Sequence, residues 1–299
     1  MARVAKGDPP VDDVGPVSTE YVDVQALRPV GRRLPLAPYV RELWRRRAFI
    51  VADSKARTFT SNKDFLLGNL WLIGRPLIDG ATYYVIFGML LGASRGIDNF
   101  IGFLLIGIFL FGYSARSLTT SVSAISTGKN LIRTFAFPRA VIPLAGILRE
   151  AFATVPTVLT MVVLLLTIPP RAPITTWWLL FPVALLLQTL VNLGLGLYAA
   201  RFGALVPDSK VAISFFTRIW MYGSGVMFSL ENLTDNHPVV MAITQLNPLY
   251  CVLEISRDLL LYGKPGDPVL WVVLAAWAVV TPLLGFLYFW QGEEQYGRE

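Results

Sequence analysis

The chain reads as an all-α polytopic membrane protein: six transmembrane helices, an N-terminal interfacial amphipathic helix and an external re-entrant helical segment. Three observations predict this. Hydrophobic residues make up 54% of the chain and its mean hydropathy is +0.55, beyond what an ordinary soluble domain carries. Roughly six long apolar stretches recur along it, and about 20 apolar residues suffice to cross a bilayer core. Twelve of the 26 basic residues precede residue 64. Lys and Arg collect on the untranslocated side of a membrane, so the N-terminus is expected in the cytoplasm.

Residues 1–38 hold six prolines, five basic and five acidic residues and no apolar period, the composition of a disordered cytoplasmic arm. Residues 39–63 carry seven basic residues against Glu42 and Asp53. Val40, Leu43, Trp44, Ala48 and Val51 share one helical face there, and Trp44, Arg45, Arg46 and Arg47 suit a helix lying in the interface against anionic phospholipid. The membrane domain covers 64–290, with spans expected at about 65–92, 100–122, 140–168, 176–200, 211–229 and 269–290. The first is long enough to require tilt. Pro169, Pro170 and Pro173 close the turn after the third.

Charge sets the topology. The loop 123–139 has Lys129, Arg133 and Arg139 and no acid, whereas 230–268 has five acids and two basic residues. The basic loop is expected inside and the acidic one outside, which returns the tail 291–299 to the cytoplasm of a bacterial plasma (inner) membrane. Within the outer loop, 237–263 is apolar in pieces but broken by Asn247-Pro248 and by Glu254, Arg257 and Asp258. Two half-helices dipping from the outer face fit that pattern. Such backbone needs protein or water around it; a helix lying flat outside is the other reading.

Several chemistries are excluded. Cys251 is the single cysteine and His237 the single histidine, which leaves no disulfide framework and no Cys/His metal site. Gly128-Lys129-Asn130 lacks the upstream glycine and the hydroxyl residue of a P-loop, so ATP is not expected on this chain. The net charge of +6 is gathered beside membrane segments, which points away from nucleic acid. No hydrolase or metalloprotease motif occurs, and residues 1–38 contain no signal-peptide core.

Ionisable residues inside spans are costly and usually face a bundle or water. Arg75, Asp79 and Tyr83 recur at i, i+4, i+8 in the first span, next to Tyr84; Ser214, Arg218 and Tyr222 repeat that spacing in the fifth; Tyr113 and Arg116 stack in the second. Such stripes suit a path for a polar, ring-bearing substrate, since aromatic faces bind sugar C–H surfaces and Arg pairs with phosphate. Pairing of Arg75 with Asp79 inside the bundle, or snorkelling of Arg116, accounts for the same residues.

Four pieces together carry a family resemblance: Leu67-Gly68-Asn69-Leu70-Trp71 leading to Arg75-Pro76-Leu77; the loop Asn130 to Arg139; Asp208 in its short turn; and Asn247-Pro248-Leu249 followed by Glu254 and Arg257. In this order the chain resembles the permease subunits of ABC-2-type exporters, in their polysaccharide and O-antigen branch. It is similar to actinobacterial members that export cell-wall galactan. The resemblance implies a non-enzymatic half-transporter: two copies form a channel and two separate ATP-binding cassette subunits supply ATP and Mg. It implies that residues 128–139, with Lys129, Asn130, Arg133, Phe135, Phe137 and Arg139, contact the ATPase. It implies a polyprenyl-diphosphate-linked glycan as substrate, in a channel lined mainly by the first and fifth spans. Phe202 to Asp208 lacks the Arg-Asp pair common in the family. Export of a small lipid or drug, or glycosyl transfer onto a polyprenyl carrier, are the alternatives.

Overall fold

A computed structural model describes residues 33–60, 70–83, 85–86, 97, 99–134, 137–206, 208–230 and 238–296. Within those helices the side chains of residues 59, 60, 72, 75, 76, 79, 80, 83, 133, 134 and 238 lie outside the description, as do Tyr84, Phe135 and His237 altogether. The described residues form helices and no strand. In order these are α1 (Leu36–Arg45), α2 (Arg47–Thr60), α3 (Trp71–Tyr83), α4 (Phe100–Val122), α5 (Ala124–Thr127), α6 (Lys129–Thr134), α7 (Val141–Thr167), α8 (Phe181–Leu205), α9 (Ser209–Gly223), α10 (Pro238–Gln245), α11 (Pro248–Arg257) and α12 (Pro268–Gln291).

Among the described residues four helices are long and apolar enough to cross a membrane: α4, α7, α8 with the 3-10 turn before it, and α12. They coincide with the second, third, fourth and sixth expected spans. The pair α10 and α11, continued to Tyr262, passes the same test together but bends by 85° between its halves, so the described residues hold four such spans, or up to five if the bent pair is one. The fifth expected span appears as α9, whose 15 residues cover about 22 Å, short of a hydrocarbon core of about 30 Å. The first is described chiefly over α3.

Local chemistry sets the boundaries. Asn99 caps α4 by accepting from Gly102 N at 2.9 Å. Asn247 and Asp267 cap α11 and α12 by accepting from Leu249 N and Val269 N at 3.1 and 2.8 Å, each with proline at the first helical position. The expected interfacial helix over 39–63 is two helices that meet at Arg46. The second is not a free surface helix, because Ser54 Oγ donates to Ala145 O of α7 at 2.9 Å.

The α8–α12 pair is the tightest. A Cβ at Gly194 would collide with the backbone of Thr281, so glycine lets the two axes approach as small residues do between lipid-embedded helices. The main core gathers Phe103, Phe109, Leu110, Val191, Leu253 and Leu274. Helix α11 is interior, with nine of its ten residues buried. The bundle therefore has one end bearing α1, α5, α6, residues 137–140 and residues 292–296, here the basic end, and an opposite end bearing the α10–α11 break.

Candidate functional site

Helix α9 is thinly covered. Only Ser209 and Thr217 are buried, on the side that meets α4 and α8. The other side presents Val211, Phe215, Ile219 and Tyr222 to the outside, with the exposed Arg218 among them. Ser214, Arg218 and Tyr222 follow one another along an edge of the helix that begins at the exposed Lys210; the Ser214 hydroxyl donates to Lys210 O at 2.8 Å, while Arg218 and Tyr222 are exposed. In α3, Arg75, Asp79 and Tyr83 occupy one helical stripe by their backbone positions.

Tyr113 and Arg116 are engaged between helices. Tyr113 is 1% exposed and donates to Thr189 Oγ1 of α8 at 3.0 Å. Arg116 pairs with Glu150 of α7 at 3.6 Å, and that carboxylate also receives Thr120 Oγ1 at 3.1 Å and Arg149 at 3.2 Å. Sequence spacing shows Arg116 and Glu150 as separate intramembrane charges, and only the α4–α7 crossing brings them together.

At the basic end, Lys129 and Asn130 are exposed on α6, and Arg133 lies on the same helix. Phe137 is half-buried against Ile50, Val141 and Ala145, with the Arg46 guanidinium 5.8 Å from its ring centre. Arg139 is held by Glu293: its backbone N–H donates to Oε1 at 2.8 Å and its guanidinium to the Glu293 carbonyl. Tyr39 of α1 donates to the other carboxylate oxygen at 2.8 Å and accepts from Ala140 N at 3.1 Å. Burial raises the Glu293 carboxyl above its usual range, although bonds from Arg139 and Tyr39 oppose this; burial, with the Glu293 charge second, raises the Tyr39 phenol. Glu293 was hidden from sequence reasoning in an acidic tail. The apolar Phe289 and Tyr296 around it, which stack 4.6 Å apart, are the signal that this tail folds back. At the α1–α2 junction, Trp44, Arg45 and Arg47 stay exposed, with Arg47 lying 4.8 Å over the Trp44 ring; Arg46 is half-buried and pairs with Glu42 at 3.1 Å.

At the opposite end, Arg257 is fully buried. It pairs with Glu254 at 2.7 Å and donates to the carbonyls of Gly225 and Val226 at 2.9 and 3.2 Å; its guanidinium lies 3.3 Å over the Phe103 ring. Asn247 ties the α10–α11 break to the end of α9: its carbonyl accepts from Trp220 Nε1 at 2.9 Å and its amide donates to Ser224 Oγ at 2.9 Å. In the sequence Asn247 and Arg257 stand out only as breaks in an apolar segment and as two pieces of the family resemblance. They are the bolts that hold the broken helix to α4 and α9.

These features define a multi-pass α-helical membrane protein with a sparsely covered polar helix edge and a braced basic end. No protein-family model matches the chain. It is 24% identical over 201 residues to an O-antigen export system permease of Klebsiella pneumoniae, covering 67% of this chain and 75% of that protein. It is 24% identical over 242 residues to an O-antigen export system permease of Myxococcus xanthus, covering 81% and 91%. A polysialic acid transport protein of Escherichia coli matches at 24% over 241 residues, covering 77% and 88%. The chain thus resembles ABC-2-type polysaccharide-export permeases over most of its length, and its relatives are transport permeases.

Proposed function

We propose that this chain is the transmembrane subunit of an ATP-driven exporter for a polyprenyl-diphosphate-linked polysaccharide, with cell-wall galactan as the glycan. It works as a homodimer with two ATP-binding cassette subunits, which bind ATP and Mg, in a bacterial plasma membrane with both termini cytoplasmic. The relatives' names support polysaccharide export. The observation that carries a conduit is Arg218. An arginine midway along a membrane helix costs about 2.5–3.5 kcal/mol or more against lipid, and this one is exposed amid Val211, Phe215, Ile219 and Tyr222. A second copy of the same face, with water and sugar hydroxyls between, removes that cost. Tyr222 then offers a ring to the sugar, and Arg218 a cation to phosphate or hydroxyl. Arg75, Asp79, Tyr83 and Tyr84 supply the other wall.

Movement enters at the basic end. The exposed Lys129 and Asn130, with Arg133 and Phe135, meet the ATPase, and Arg139 and Phe137 pass the displacement to α7, α1 and residue 293. The test is isolation of the native complex from membranes. A co-purifying subunit with a Walker motif, whose ATPase activity responds to the lipid-linked glycan, supports the assignment; purification of the chain without such a subunit overturns it.

A further inference from the structure

Two cavities lie side by side near the junction of α8 and α9. The larger, about 800 Å3, is a groove lined by Leu118 of α4, Leu195, Ala199 and Phe202 of α8, and Ile213 and Trp220 of α9. Apart from Asn247 and the hydroxyls of Tyr198 and Tyr288, its walls are apolar. The smaller, about 310 Å3, lies at the basic end and has a different chemistry: Lys129, Lys210, Ser123, Ser126, Ser209 and Gln295 line it.

The cavities share one seam. On α4, Leu118 lines the groove and Val122, one turn on, lines the polar cavity; on α9, Ser209 lines the polar cavity and Ile213, one turn on, lines the groove. A contact among Leu118, Val122 and Ala199 separates the two. Among the described residues neither lysine enters an ion pair. The neighbouring acid, Asp208, is exposed and does not line the cavity. Behind it, Arg201 is turned to the Tyr288 ring at 4.0 Å.

We infer that this seam is a binding site for one anionic phospholipid of the surrounding bilayer, its phosphate against Lys129, Lys210 and the serine hydroxyls and an acyl chain in the groove. The level is that of a headgroup, since the polar cavity sits at the ends of α4 and α8 and the start of α9. Charge complementarity selects an anion. Size fits a headgroup: a space of 310 Å3 holds about ten waters at roughly 30 Å3 each, room for a phosphodiester head. The bilayer supplies such heads at the level of the cavity, and the site stands whether or not an ATPase docks below. It joins Lys129, on the segment proposed to meet that ATPase, to α9, the proposed channel wall.

The test is lipid retention. The full chain, exchanged into nanodiscs of phosphatidylglycerol and phosphatidylcholine and then released for native mass spectrometry, is expected to keep one phosphatidylglycerol per chain. The K129Q/K210Q double variant should retain it more weakly by on the order of tenfold or more, and K129R/K210R should keep it. Leu195→Trp, which fills the groove with both lysines intact, should lose it. Inorganic phosphate alone should not displace it, because the chain contributes through the groove. Equal retention by wild type, K129Q/K210Q and Leu195→Trp overturns the site, as does equal retention of phosphatidylcholine, or displacement by the polyprenyl-linked glycan.

Discussion

The Tyr39 hydroxyl donates to Glu293 Oε2 at 2.8 Å across 254 positions of sequence. It joins the first helix of the described chain to the turn after the last. Because Tyr39 also accepts from Ala140 N, and Glu293 also accepts from Arg139 N, these two side chains hold three segments that no local pattern connects. Trp290 Nε1 donating to Leu34 O at 3.0 Å runs parallel to them.

Removing the hydroxyl tests this latch. Tyr39→Phe keeps the ring that packs 5.9 Å from Phe286 but leaves the Ala140 amide and one oxygen of a buried carboxylate without their partner. The expected loss is about 1–3 kcal/mol, read as a lower Tm of the purified chain. An unchanged Tm would show that water replaces the hydroxyl and that the latch is not structural.

The same carboxylate makes stability depend on pH. Burial raises the Glu293 carboxyl above its ordinary 4.5, so between 4.5 and the raised value the folded chain holds more protons than the unfolded one. Its contribution to stability is then greatest at the acid side of that window and falls as pH rises through the folded value. Glu293→Gln removes the titration. Its Tm difference from wild type should shift with pH in that direction, in the mutant's favour as pH rises. A difference that grows against the mutant on raising pH would reverse the sign argued here.

At the opposite end, Arg257 and Glu254 should respond unequally. Arg257→Ala removes the ion pair and three carbonyl contacts, to Phe103, Gly225 and Val226, and leaves Glu254 uncompensated, at an expected cost of about 3–5 kcal/mol. Glu254→Gln leaves Arg257 bonded to Gly225 and Val226 and should cost about 1–3 kcal/mol. Thermal unfolding followed by size-exclusion separates the two. Equal losses would mean that the pair, and not the carbonyl contacts, anchors α11.

Much of this architecture is legible from hydropathy, because α4, α7, α8 and α12 are long apolar runs between turn residues. What escapes is tertiary. Position 46 looks like any other basic residue in an amphipathic period, yet the helix ends there because α2 must turn to lay Ser54 on α7. Helix α9 looks like a full span because the apolar run continues past Gly223, and a residue average cannot show that the backbone turns at Ser224. Of the candidate channel residues, Arg218 and Tyr222 are recognisable by their i, i+4 spacing. The engagement of Tyr113 with Thr189 and of Arg116 with Glu150 depends on helix crossings, which spacing within one helix does not encode. Glu293 carries no periodic signal at all.

Arg218 gives the sharpest test of the conduit. Its side chain is exposed and it sits on a face of α9 that none of the described residues covers. Arg218→Ala should therefore move the chain's own stability by no more than about 0.5 kcal/mol. If the face lines a wet path between two copies, the substitution removes a cation from that path, and glycan export in cells should fall several-fold while chain abundance and co-purification of the ATPase hold. Arg218→Lys keeps the charge but not the planar fork, so partial export is expected. Tyr222→Ala on the same edge should act like Arg218→Ala, and the double variant should not be worse than additive. Normal export in Arg218→Ala, or a raised Tm with no change in export, would place this face against lipid and remove it from the path.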